Sequence, residues 1–513
     1  MKHLADLDIL VLGLGDSGLA MARWCVRHGA RVQVWDSRDQ PPQLHVLRAE
    51  LPQVRQFSGA LTAAALAGVS LVLKSPGLAR ADPRIADLLE AASGRGLPVC
   101  GELDLFIRAL ADLKADQGYT PRLLAVTGTN GKTTTVGMTA LLVQRAGFRV
   151  ALAGNIGPTL LDTLSAALDA PADAGLPQVW VLELSSFQLD GVRDFEPSAA
   201  AVLNLTQDHL DWHGDMTAYA AAKARIFGEQ AVMIVNRDDA RVEAMVAAPV
   251  SVQQGRGRAA RLMQRPVLRF GADAPRRSGD FGLVVDHGMT WLVRALQADD
   301  TIKRRKGEEP ELHLQRLMPA DALRVRGRHN AVNALAALAL ACAIGCPLAP
   351  MLHGLREYVG QPHRVEFVAV VGGIEAYDDS KGTNVGATVA ALQGLGAEKA
   401  PGRLVVILGG DGKGQDFAPL AAAVERHVRA VALIGRDAGR IAEVLQGIPV
   451  ALQHHGSLPA AVQWCFEQAQ AGDAVLLSPA CASLDMFRNY AHRAEVFVQA
   501  VQQRAASVGE VLA

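Results

Sequence analysis

Short apolar runs separated by amphipathic stretches recur along this chain, and most of them break at a glycine or a charged residue. Residues 9–12, 31–35 and 70–73 read as buried strands, with a helical stretch to about His28 between the first two. The pattern restarts at 123–126 and continues through 149–153, 179–182 and 200–205. An alanine-rich helix follows RVRGRHNAVN (324–333) to about Ile344, and strands at 373–377, 404–408, 430–434 and 474–477 start the pattern a third time. Strands alternating with helices predict parallel sheets, so the expectation is three α/β domains in series. Such sheets meet their ligands at the carboxyl ends of the strands, which makes the residue after each apolar run the place to look for chemistry.

The chain has 513 residues, too many for one core, and half of them are hydrophobic against a fifth charged, which suits a soluble globular protein. Its 51 basic and 52 acidic residues leave no general footprint for nucleic acid or an anionic membrane, so an anionic ligand must be held locally. The apolar run at 9–14 is preceded by Asp6 and Asp8 and interrupted by glycines, unlike a secretion signal or a membrane span. The cytoplasm is the expected compartment. Six cysteines without a CxxC pair read as reduced, small hydrophobes.

The strand at 123–126 runs into Gly128, Thr129, Asn130, Gly131, Lys132, Thr133 and Thr134 and then an amphipathic helix. A strand, a glycine turn and a helix N-terminus aim backbone N–H groups and the positive end of the helix dipole at one spot, where polyphosphate oxygens can sit. Lys132 would add a point charge, and Thr133 a hydroxyl for Mg²⁺. Val126 stands where the common P-loop pattern has a further glycine, so the loop is a shortened variant.

In the first domain Gly13, Gly15 and Gly18 form GxGxxG after a strand, and Asp36 ends the next strand with a carboxylate that could accept from a ribose hydroxyl. This reads a pyrophosphate and a ribose, and by itself leaves open NAD or FAD, another diphosphate nucleotide, or a turn without a ligand. Lys74-Ser75-Pro76-Gly77 ends the next strand, and the polar segment 111–121 is expected to close the domain. In the second domain Glu183 ends a buried strand near the phosphate loop, as magnesium coordination requires. His209, in a run rich in proton-accepting groups, and Lys223, on a helical segment, are ordinary surface residues on composition alone. Residues 250–317 are uninformative, with an Arg-Gly cluster at 255–261 and an exposed-loop signature at 303–309.

TGTNGKTT (127–134), GNIG (154–157), ELSSFQL (183–189), GRHNAVN (327–333), His363-Arg364 and DDSKGTN (378–384) resemble the Mur ligases in the same order along nearly the whole chain. GGDGK (409–413) and SPACASLDMF (478–487) resemble the members of that family that add D-glutamate. The resemblance implies a Rossmann-like N-terminal domain (1–115), a P-loop-type central ATPase domain (116–360) and a Rossmann-like C-terminal domain (361–513).

It further implies an ATP-dependent ligase of peptidoglycan precursor synthesis, joining D-glutamate to UDP-N-acetylmuramoyl-L-alanine through an acyl phosphate. UDP-sugar contacts then fall to Gly15, Ser17, Asp36, Ser37, Arg38, Ser75, Asn155, Ser185 and Gln188. ATP falls to residues 128–134 with Asn330, Asn333, Arg364 and Asp379. Two Mg²⁺ ions fall to Thr133, Glu183, His209 and Lys223, the last carbamylated in the family, and D-glutamate falls to Thr383, Lys413, Ser483 and Tyr490. Lys132, Glu183, His209 and Lys223 are the implied catalytic set, and the proton of the amine is expected to go to a group near His209 or Asp379. Tyr490 stands where relatives often have Phe, and Gly382 where they have Ala. The chain is expected to act as a monomer.

Overall fold

The computed structural model describes residues 2–171, 173–248, 250–252, 261–263, 265–298 and 311–510. In the first sheet β1 (Asp8–Leu12), β2 (Arg31–Trp35), β3 (Arg55–Phe57), β4 (Leu71–Lys74) and β5 (Val99–Cys100) lie in the order β3-β2-β1-β4-β5, all parallel. The strand order reverses at β1, so the turns after β1 and β4 face one another across the switch point. Helix α1 (Asp16–Arg27) crosses from β1 to β2, and α2 (Glu102–Gln117) follows β5. The segment expected to close this domain is thus helical to Gln117, where Gly118 ends the helix at a φ of 68°.

The second sheet is also wholly parallel. It holds β6 (Arg122–Thr127), β7 (Val150–Gly154), β8 (Val179–Glu183), β9 (Ala199–Val202), β10 (Val232–Asn236) and, beyond the ribbon of β11 (Val250–Val252) and β12 (Arg261–Met263), β13 (Val267–Phe270). Their order, β13-β10-β9-β6-β8-β7, puts the switch point at β6. Its helices are α3 (Lys132–Arg145), α4 (Leu160–Asp169), the short α5 (Ser186–Leu189) and α6 (Leu210–His213), and α7 (Met216–Ala224). Every residue of β8 and β9 is buried, as strands covered on both faces must be, and hence they read as unbroken apolar runs.

The uninformative stretch holds a three-stranded antiparallel sheet, β14 (Phe281–Asp286), β15 (Met289–Gln297) and β16 (Leu312–Pro319). Its strands mix buried, half-buried and exposed positions and carry Arg294 and Arg316 among apolar residues, so they leave no clean apolar run to read. Of the Arg-Gly cluster only Arg261 lies among the described residues, and the 303–309 run lies wholly outside them. Helix α8 (Arg328–Ala343) then packs its buried alanines on α3.

The third sheet has β17 (Glu366–Val371), β18 (Ile374–Asp378), β19 (Leu404–Gly409), β20 (Val428–Ile434), β21 (Ala451–His454) and β22 (Ala474–Leu477) in the order β17-β18-β22-β19-β20-β21. It is parallel except for the edge strand β17, which the sequence reading missed. Helix α9 (Val385–Lys399) follows β18 and α10 (Tyr490–Ser507) closes the chain.

Candidate active site

The loop after β6 needs glycine where it turns into α3. Gly131 has a φ of 81°, and a Cβ there would lie 2.6 Å from Asn333 Oδ1. The ammonium of Lys132 donates to the carbonyls of Gly128 and Thr129, each at 2.9 Å, and burial lowers its pKa. The backbone N–H of Asn130 donates to Asn204 Oδ1, and the Thr129 hydroxyl lies 3.1 Å from the Tyr219 hydroxyl, so the loop is braced from β9 and α7. Beside it a cleft of about 430 Å³ is lined by Asn130, Gly131, Thr134, Asn330, Asn333, Arg364 and Asp379, seven residues the sequence assigns to ATP. Asp379 accepts from the Ser478 hydroxyl at 2.6 Å, and burial pushes its carboxyl up to about 7.

Glu183 at the end of β8 is buried. One carboxylate oxygen accepts from the Asn155 amide at 2.8 Å, and the other has no hydrogen-bond partner. Lys223 is equally buried and donates only to neutral oxygens, Thr127 Oγ1 at 3.2 Å and the Gly128 carbonyl at 2.9 Å. Burial, then the charge of Lys132, holds its pKa well below the usual lysine range, while Glu183 and Asp208 pull the other way. His209, at a φ of 54° before α6, has its pKa lowered by partial burial, with Asp208 pulling it up and Lys413, Lys132 and Lys223 pushing it down. An orphaned carboxylate oxygen among a buried threonine, a neutral imidazole and a starved amine fits a hard cation once the amine gains an acidic group.

In the first domain Gly15, Ser17, Asp36, Ser37, Arg38 and Ser75 line a cleft of about 970 Å³ across the switch point. Gly18 lets α1 start there, since a Cβ on it would come within 1.9 Å of the Gly13 carbonyl. The carboxylate of Asp36 accepts from the Leu14 N–H and from the Arg38 backbone, Nε and Nη2, at 2.7 to 3.0 Å. It therefore presents Arg38 to a ligand and not a free oxygen for a ribose. Ser185 and Gln188 cap α5 through one another, and Asn155 reaches Glu183.

On the third sheet the loops carrying Lys413 and Ser483 are joined, Asp411 and Ala482 exchanging backbone hydrogen bonds. Lys413 Nζ lies 3.8 Å from Asp208 of the second domain, and Asn130 and Asn384 pair their side-chain amides at 3.1 and 2.9 Å. Thr383 precedes Asn384. The Tyr490 ring packs near His363 and Lys381. The sequence reading missed Asp208, whose Oδ1 is buried without a hydrogen bond, and Lys381, whose pKa burial lowers to about 8. Both sat in motifs already singled out, next to His209 and inside DDSKGTN.

Three family descriptions match this layout: the MurD-like N-terminal domain over residues 7–101, the Mur ligase middle domain over 126–264 and the Mur ligase glutamate ligase domain over 363–481. The chain belongs to the Mur ligase family. It is 61% identical to UDP-N-acetylmuramoylalanine--D-glutamate ligase of Albidiferax ferrireducens, over 99% of this chain and 98% of that one. It is 55% identical to the protein of the same name from Burkholderia mallei, with 98% of each covered. Among solved structures it is similar to the MurF ligase of Thermotoga maritima in complex with ADP (TM-score 0.57, 16% identity, 99% and 97% covered). It is also similar to the UDP-N-acetylmuramate-alanine ligase MurC of the same organism (TM-score 0.56, 20% identity, 97% and 99% covered). At these identities the two structures share the fold. No helix among the described residues is long and apolar enough to cross a membrane.

Proposed function

We infer that this protein joins D-glutamate to UDP-N-acetylmuramoyl-L-alanine, cleaving ATP to ADP and phosphate, as a step of peptidoglycan precursor synthesis. The observation that carries this is the full-length identity of 61% to a relative named for that reaction. The contacts between the loops of the second and third domains support it. The domains divide at about 115 and 360, and the cytoplasm, where ATP is found, is the compartment.

A carboxylate at neutral pH is a poor electrophile, so it must be activated before an amine can displace oxygen from it. Phosphoryl transfer from ATP makes an acyl phosphate, and the amine attacks its carbonyl with phosphate as leaving group. The N–H groups of residues 128–134 and the charge of Lys132 would hold the transferring phosphoryl group, a task of positioning and electrostatics. Thr133, Glu183, His209 and Lys223 would hold two Mg²⁺ ions, which when bound offset charge on the phosphate oxygens. Lys223 would join them as a carbamate. Burial favours its neutral amine, whose nitrogen lone pair attacks CO₂ and which then gives up a proton.

Lys413, with Thr383, Ser483 and Tyr490, would receive D-glutamate, the lysine pairing with a carboxylate. The contacts of the third domain with Asn130 and Asp208 would keep water from the acyl phosphate. Phosphate release from ATP with UDP-N-acetylmuramoyl-L-alanine and a panel of amino acids tests the reading. D-glutamate is expected to support turnover. Turnover with L-glutamate, L-lysine or diaminopimelate and not with D-glutamate would overturn it. Carbon-13 NMR in labelled bicarbonate checks the carbamate separately.

A further inference from the structure

Glu102 opens α2 where the first two domains meet, and only 2% of it is exposed. Its Oε1 accepts from the Leu161 N–H in the first turn of α4 at 3.0 Å, while Oε2 is buried with no hydrogen-bond partner. The Ser17 hydroxyl and the Leu160 N–H adjoin the carboxyl and favour its charged form without completing a hydrogen bond to it. A buried, half-satisfied carboxylate is costly to keep, and the activation and transfer steps do not use it.

What Glu102 joins gives it a purpose. Ser17 lies in the turn that opens α1 and lines the diphosphate-sized cleft of the first domain. Leu161 belongs to the helix that follows the 154–158 turn, and that turn carries Asn155, the residue bonded to Glu183. One carboxylate thus lies beside the nucleotide turn of one domain and is bonded to the segment of the next that carries Asn155, the partner of the candidate metal carboxylate. Around it the two domains share one apolar core, in which the Phe106 and Trp180 rings lie 5.1 Å apart, and the ion pairs Arg23–Asp162 and Arg27–Asp169 sit at its solvent-accessible edge, where such pairs are weak.

We propose that Glu102 is a positioning residue for the nucleotide sugar, holding the first-domain cleft and Asn155 at the spacing that a diphospho-sugar spans. The proposal rests on the function inferred above and adds a residue to it. A ligand contacting both domains binds best when its two sites are already at their bound separation.

The test compares Glu102→Ala, Glu102→Gln and Ser17→Ala, together with the double variant Glu102→Ala/Ser17→Ala, in the full-length protein. Glu102→Ala is expected to raise the KM for UDP-N-acetylmuramoyl-L-alanine about tenfold, leaving the KM for ATP and for D-glutamate unchanged. Calorimetric titration with the same nucleotide sugar should lose affinity by the same factor. Glu102→Gln keeps an oxygen for the Leu161 N–H and should stay within about twofold of the parent. The double variant should lose less than the product of the single losses, because the two side chains adjoin and act on the same cleft.

Unchanged nucleotide-sugar binding in Glu102→Ala overturns the proposal. So does an equal rise in all three KM values, or a glutamine variant no better than the alanine one. Should Glu102→Ala not fold, Glu102→Asp, which withdraws the carboxyl by one methylene, is read in the same way. A parent protein that neither binds the nucleotide sugar nor releases phosphate with it would sink the inferred function itself. A parent that does both, beside an unaffected variant, sinks only the role of Glu102.

Discussion

Lys132 is anchored by two carbonyls of its own loop, and removing it takes away a charge that nothing else in that turn supplies. Lys132→Ala should lower turnover by about a thousandfold or more in the phosphate-release assay, with nucleotide-sugar binding by titration unchanged. Lys413, opposite Asp208, is placed for a different job. Lys413→Ala should raise the KM for D-glutamate about tenfold with a smaller loss in kcat, and an unchanged D-glutamate KM would remove that lysine from the pocket. At this scale the sequence was most informative where a motif forces a backbone. The glycines of the loop after β6 and the carboxylate ending β8 could be placed because strand ends fix their direction. Asp208 could not be found this way, because its significance comes from Lys413, more than 200 positions later in the chain. Asp36 was found, but its bonds to Leu14 and Arg38 depend on how the next turn folds back.

Among the elements, the central parallel strands such as β1, β6, β8 and β19 were legible because burial on both faces leaves an unbroken apolar run, whereas β3, β5, β10, β13 and β21 were missed. The sheet of β14, β15 and β16 was missed too, since a half-exposed antiparallel strand mixes charged and apolar residues. Helix α2 carries a prediction of its own. Burial pushes the Glu102 carboxyl from 4.5 up to about 7. The folded chain holds that proton at pH values where the unfolded chain has released it, so this contribution to stability is full below pH 4.5 and is lost as pH rises through about 7. Glu102→Gln has no such proton to lose. Its Tm should be close to that of the parent at about pH 5 and higher at about pH 8, as thermal denaturation at the two values would show. A Tm difference that does not change with pH would mean that the carboxyl is not titrating in the fold.

For the molecule as a whole, three domains could be read from the recurrence of the strand pattern, but their mutual placement could not, because it depends on single contacts such as that between Asn130 and Asn384. Asn384 also caps α9, accepting from the Ala387 N–H. Asn384→Asp keeps that cap but sets a carboxylate against the Asn130 amide. It should lower kcat/KM for D-glutamate about tenfold while sparing nucleotide-sugar binding, measured by steady-state kinetics and titration. Two of the contacts that hold the third domain to the second differ in kind. The Lys413–Asp208 attraction fades as ions crowd the solution. The reciprocal amide pair carries no net charge, so added salt or moderate acidity leaves it in place. Rising ionic strength would therefore loosen the contact at Lys413 while leaving the one at Asn130 in place.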